Sequence, residues 1–187
     1  MKNATLCAVV MAAMLALPAA AKEVAGVSLP DTTSVAGKQL KLNGAGLRKK
    51  LVFKVYVAGL YLETPSQDAQ QVIGSEQIKR VRMSMRRDLK KEAIVEAIEN
   101  GFKKNAGDKL PALKPRLDSL IAAIPAELKE GDDMLLTYVP GKGTSIQTGS
   151  GQELAVEGKD FADALFSVWL GASPVDGSLK EALLGKE

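Results

Sequence analysis

One segment limits the folds open to this chain more than any other: Leu42–Glu63, LNGAGLRKKLVFKVYVAGLYLE. From Leu51 to Leu62 it is rich in Val, Phe and Tyr, which suit a pleated surface. Alternation puts Val52, Lys54, Tyr56, Ala58, Leu60 and Leu62 on one face and Leu51, Phe53, Val55, Val57, Gly59 and Tyr61 on the other, so both faces are apolar beyond Lys54. Such a strand has to be covered on both sides, either central in its sheet or between the sheet and a bound apolar molecule. The glycine-kinked stretch before it carries one arginine, Arg48, which needs a partner.

The N-terminus reads as a leader. Met1 and Lys2 open onto an apolar run from Ala4 to Leu17, followed by Pro18-Ala19-Ala20-Ala21, so residues 1–21 are expected to be a bacterial-type signal peptide cleaved before Lys22. The run is short of the roughly 20 apolar residues of a membrane span. Cys7 lies inside it, which argues against a lipoprotein and leaves the mature chain, residues 22–187, without cysteine. A periplasmic location is therefore expected. Loss of Lys2 takes the net charge from +3 to +2, which gives no footprint for nucleic acid. The chain has no histidine, which excludes Ser–His and Cys–His catalysis and removes the commonest transition-metal ligand.

One domain is expected over residues 22–187. Strands are predicted at Lys38–Leu42, Leu51–Leu62 and Lys79–Met85, with a short helix near Asp68–Ile73. Asp88 is placed to cap a helix whose apolar positions, Leu89, Ala93, Ile94, Ala97, Ile98 and Phe102, recur at helical spacing. Another helix follows Pro115 and ends before Pro125. Met134–Val139, Thr144–Thr148 and Gln152–Val156 read as an antiparallel meander. Phe161, Ala164, Leu165, Val168 and Trp169 form one helix face stopped by Gly171, and Ser178-Leu179-Lys180-Glu181 opens a last helix as a capping box. Blocks of strands and helices point to α+β with an antiparallel sheet.

Three superficial motifs fail in context. Gly44-Ala45-Gly46 has lysine at 49 where a dinucleotide loop needs glycine, and a strand follows instead of a helix. Asp132-Asp133 lacks a second acidic cluster to complete a metal cage. Arg86-Arg87 is too small a patch to argue for RNA or membrane.

With LNGAGLRKK and FKVYVAGLYLE coupled to the C-terminal FADALFSVWLGASPVDGSLKEALLG, the chain resembles the chalcone isomerase-like family, in its exported bacterial branch, over about residues 25–185. The resemblance implies an open-faced β-sandwich, a large antiparallel sheet with helices layered on one side, whose cleft holds the ligand. In the plant enzymes an arginine of the glycine-rich segment holds the substrate oxyanion during an intramolecular Michael addition, and Arg48 matches it. The other enzyme positions differ: Tyr56 stands for a threonine, Val168 for a polar residue, and Ala93 or Ile94 for the region of the catalytic tyrosine, while Asn100 matches the asparagine that follows.

Tyrosine in place of that threonine, with the arginine kept, is similar to the noncatalytic fatty-acid-binding members, where the two side chains hold a carboxylate. A guanidinium fork takes two carboxylate oxygens and a phenol donates another hydrogen bond. The leading expectation is a periplasmic binding protein for a fatty acid or other apolar carboxylate, with no cofactor or metal. Its expected site is Arg48, Tyr56, Asn100, Val168 and Trp169, with Val52, Ala58 and Leu60 as further cleft residues. Two alternatives stay open, an isomerase or intramolecular lyase and an envelope accessory protein acting through a protein partner. So does a structural reading in which Arg48 pairs with a surface glutamate and Tyr56 is core. On one straight strand Arg48 and Tyr56 would stand about 26 Å apart at roughly 3.3 Å per residue. They converge only if the chain turns near Lys49-Lys50.

Overall fold

Two Ala-Gly pairs shape the start of the chain. The computed structural model describes residues 21–149 and 154–186. It begins with β1 (Ala21–Val24), β2 (Val27–Pro30) and β3 (Thr32–Val35), none of them anticipated from sequence, followed by β4 (Lys38–Lys50). Ala25 and Gly26 have φ of 49° and 79°, and Ala36 and Gly37 have 49° and 78°. Two successive left-handed residues are what a two-residue hairpin turn requires, so each pair folds the chain straight back. The expected leader, apart from Ala21, lies outside the described residues.

β4 runs through the whole glycine-containing stretch and turns at Leu51-Val52 into β5 (Phe53–Leu62). The sequence reading had placed Leu51 and Val52 in the strand. Asp68 caps α1 (Ala69–Gly74), accepting from the Gln70 and Gln71 amides, and β6 (Lys79–Met85) follows as expected. At its start Lys79 is fully buried, and its Nζ donates to the Val72 carbonyl at 2.9 Å and to those of Ile73 and Ser75, the C-terminal carbonyls of α1. Burial, and then the nearby Lys159, lower its pKa to about 8.

Asp88 does not cap the next helix. Leu89–Lys90 forms a two-residue strand, β7, and α2 (Lys91–Asn105) starts after it without a side-chain cap. Asp88 instead accepts the Glu130 amide at 2.9 Å and pairs with Lys129. α3 spans Leu110–Ala122, so Pro115 lies inside it where the sequence suggested a start. Pro111 occupies the first turn, where a missing N–H costs nothing, and Pro115 is exposed, where the carbonyl it leaves bare can be hydrated. β8 (Glu127–Leu128) pairs with β7.

The meander is β9 (Asp133–Val139), β10 (Gly143–Thr148) and β11 (Leu154–Val156). The expected start of the last strand, Gln152, lies outside the described residues. α4 (Lys159–Leu170) and α5 (Gly177–Leu183) complete the chain. The Asp176 carboxylate caps α5 by accepting the Leu179 amide at 3.0 Å, so the Ser178 capping box is not the start signal used.

The main sheet is antiparallel, in the order β11-β10-β9-β6-β5-β4-β3, with the helices on one side: the α+β architecture read from the sequence. Tyr56, Ala58, Leu60 and Met83 meet Phe102 of α2 and Phe161 and Leu165 of α4 in the principal core. The opposite side of β5 is covered too. Val57 packs with Leu29 of β2, and Tyr61 with Val35, Leu40 and Ile78. The double-sided apolar pattern therefore reports a strand inside the sheet, with helices on one face and the β1–β2 hairpin on the other.

Two devices fix β4 under α5. The register skips Asn43 between Leu42 and Gly44, and this bulge turns the Asn43 side chain to bind Ser66 twice and the Leu183 carbonyl at 2.8 Å. A Cβ on Gly44 would stand 2.6 Å from the Leu183 carbonyl oxygen and 2.8 Å from the Gly185 nitrogen, and closer still to the Ala182 carbonyl. Gly44 is there because helix backbone lies directly against strand backbone.

Candidate functional site

The turn at Leu51-Val52 brings the two expected partners together. Folding β5 back along β4 places Arg48 directly opposite Tyr56 in the ladder, with the guanidinium carbon 5.5 Å from the phenol ring centroid. The next pair is Lys49 with Lys54, so Val55 is the extra residue of a second bulge. Its carbonyl accepts the Arg86 amide instead. Because of that bulge Val55 and Tyr56 both line the same cleft, although strict alternation had put them on opposite faces.

The cleft measures about 760 Å³, within the range of roughly 300–1,000 Å³ usual for small-molecule sites. Its sheet side is Val55, Met83, Met85 and Met134; α2 supplies Ile94, Ile98 and Asn100, and α4 supplies Val168 and Trp169. All five expected site residues, Arg48, Tyr56, Asn100, Val168 and Trp169, therefore line one cavity. Asn100 sits at the exposed margin of α2. Three other expected cleft residues are elsewhere: Val52 is 86% exposed in the turn, and Ala58 and Leu60 are sealed in the core.

Polar groups converge at the inner end. Tyr56 is 6% exposed and Trp169 3%, and the Trp169 indole N–H donates to the Tyr56 hydroxyl at 2.9 Å. Burial raises the Tyr56 pKa above the ordinary phenol value, with the Arg48 charge opposing, so the side chain stays a neutral phenol. An indole can only donate, so the phenol oxygen accepts and its own proton is left to give. Arg48 is half-buried, and its Nε is buried without a hydrogen-bond partner. Among the described residues no carboxylate lies within ion-pair distance of it. Of the structural reading, the ion pair of Arg48 with a glutamate is not formed among the described residues, while Tyr56 does lie in the core.

The arrangement thus offers an Arg48 Nε without a partner and a phenolic O–H free to donate, side by side beneath a methionine-rich apolar wall. It suits an anionic head with an apolar body, and thioethers adapt to irregular shapes. No cluster of three or more metal-ligating side chains occurs among the described residues.

The sequence reading missed the methionines and Arg87. Met85 and Met83 stand opposite Tyr56 and Ala58 in the sheet, and Met134 opposite Met83, so alternation along β6 would have found the first two once the pairing was known. Arg87 belongs to the pair set aside as too small a patch. It lies at the cleft mouth with its guanidinium carbon 4.9 Å from the Phe53 ring centroid.

Comparison with known proteins gives a consistent picture. The family model described as chalcone isomerase-like matches residues 21–185. No match is found among curated protein sequences. The crystal structure of a fatty-acid-binding protein from Arabidopsis thaliana superposes with a TM-score of 0.66 at 19% identity, over 85% of this chain and 92% of that one. At that identity the likeness is one of fold.

Proposed function

The chain belongs to the chalcone isomerase-like family, and on that footing we propose that it binds a fatty acid or another apolar carboxylate in this cleft and does not convert it. The observation that carries the reading is the buried Arg48 Nε, which has no hydrogen-bond partner, beside a phenol whose oxygen already accepts from Trp169. A carboxylate answers both needs, one oxygen or both on the guanidinium and one on the Tyr56 proton. The hydrocarbon then lies against Val55, Met83, Met85 and Met134 and the α2 wall. The similarity in fold to a plant fatty-acid-binding protein supports the choice of ligand class. The protein acts in the periplasm after removal of residues 1–21, a reading supported by the apolar run and small residues ahead of Lys22.

Mass spectrometry of ligands extracted from the natively purified protein is the direct test. An acidic apolar compound should co-purify, and added fatty acid should raise the melting temperature of the stripped protein. A stripped protein that neither carried such a compound nor responded to any chain length would overturn the proposal. N-terminal analysis of exported protein should find Lys22 first.

A further inference from the structure

Leu51, Val52 and Phe53 are 90%, 86% and 54% exposed, and they are the exposed large hydrophobic residues among those described. They are consecutive, at the tip of the β4–β5 hairpin. None of them belongs to a core cluster. Leu51 has φ of 56°, a conformation that glycine or asparagine adopts at lower steric cost, so this leucine both strains the turn and leaves apolar surface in water.

The surroundings of the tip are cationic. Lys49, Lys50 and Lys54 flank it and are exposed, Arg87 lies over the Phe53 ring, and Lys90 stands at the same mouth. Three acidic residues line the cleft, Asp88, Glu96 and Glu127; Asp88 and Glu127 are both engaged by Lys129, at 3.2 and 2.6 Å, and the five cations around the tip still leave the collar with a positive excess. An apolar tip within a ring of lysines and arginine is the pattern of a segment that enters a lipid surface. The tip is also part of the cleft, since Lys50, Leu51 and Phe53 line it.

We propose that the β4–β5 tip docks on the surface of an anionic phospholipid bilayer. Leu51 and Val52 enter the acyl boundary, the collar sits among the phosphates, and the cleft mouth is held against the lipid. Docking extends the reading of the cleft as a lipid site, because an apolar carboxylate could then pass between bilayer and cleft without crossing open water.

The test is co-sedimentation of the mature chain with vesicles of phosphatidylglycerol and phosphatidylethanolamine, and separately of phosphatidylcholine alone. Binding is expected to the anionic vesicles and to weaken with added salt. Val52→Asp, at a residue outside the cleft, should weaken it at least tenfold. Lys49→Gln should weaken it about fivefold. Arg48→Met should keep vesicle binding and lose fatty acid binding, so failure of the ligand reading alone would leave the vesicle result standing. Wild-type protein that stays in solution, equal binding to phosphatidylcholine, or unchanged binding by Val52→Asp would overturn the proposal. So would dimerisation through the tip in lipid-free buffer, seen by sedimentation velocity, which would assign the patch to a second copy.

Discussion

Replacing Arg48 with methionine separates a binding arginine from a structural one. The substitution keeps an unbranched stem of similar reach and removes the charge and all donors. If Arg48 grips a carboxylate through two N–H···O bonds, each at the low end for a charged group, about 1.5 kcal/mol, the loss is about 3 kcal/mol. At about 1.4 kcal/mol per decade that is on the order of a 100-fold rise in Kd. The ligand-free protein should respond in the opposite sense. It loses a cation–π contact with Tyr56 worth about 0.5–1 kcal/mol, and it is relieved of a buried, unsatisfied Nε that costs about 1–3 kcal/mol. The stripped variant should therefore be as stable as the wild type or slightly more so, within about 4 °C in Tm. Trp169 is the only tryptophan in the chain and lies in the cleft against Tyr56, so its fluorescence reports occupancy directly. Titration with a fatty acid gives Kd, and a thermal melt gives stability. Arg48→Lys, which keeps the charge without the fork, should fall between. A stripped Arg48→Met protein destabilised by more than about 2 kcal/mol, with affinity unchanged, would refute the reasoning and make Arg48 a structural residue.

Three other outcomes test the fold and its electrostatics. Tyr56, Tyr61 and Tyr138, the three tyrosines of the chain, are each held above the ordinary phenol pKa, first by burial; absorbance at 295 nm should therefore stay flat past pH 10 until the protein unfolds, and a tyrosine titrating in the folded state near 10 would contradict this. Gly44→Ala drives a Cβ into the α5 backbone and should cost about 3 kcal/mol in urea unfolding, whereas Gly74→Ala, with nothing near its Cβ, should stay within about 0.5 kcal/mol. For Lys79 the folded pKa of about 8 lies below the unfolded value, so between pH 8 and about 10.4 the unfolded chain binds more protons and stability from this group rises with pH, by at most about 1.4 kcal/mol per unit. The stability difference between wild type and Lys79→Met should move by that sense over pH 7.5–9.5; a difference independent of pH would show that Lys79 does not titrate there.

What could be read from the sequence follows from where local pattern decides the structure. β5 from Phe53 onward, β6 and α4 each carry a full apolar period, and they stand where expected. The N-terminal hairpins were missed because their turns use Ala-Gly in place of the Asn-Gly or Asp-Gly that advertises two left-handed residues. Leu51-Val52 was read as strand because a β-branched and aromatic run outweighs a turn that has no turn residue in it. Asp88 looked like a helix cap, but pairing of β7 with β8 moved the helix start past it, a tertiary contact invisible locally. At the site, Arg48, Tyr56 and Trp169 could be named from the motifs. Their convergence could not, because it depends on a turn and on the Val55 bulge, and a one-residue slip in pairing changes which side chains share a face.

The bare backbone of Gly44 beneath α5 bears on the order in which the molecule is made. Asn43 and the Leu183 carbonyl it binds are 140 residues apart in the chain, so the strand leading into Arg48 gains the cover of α5 only once the chain through Leu183 is present. Chains are synthesised from the N-terminus, and contacts of such long sequence separation form late. A product stalled or clipped before Asp176 would hold both Arg48 and Tyr56 and still present β4 without its roof. The strand that carries Arg48 is thus fully covered only when α5 is in place.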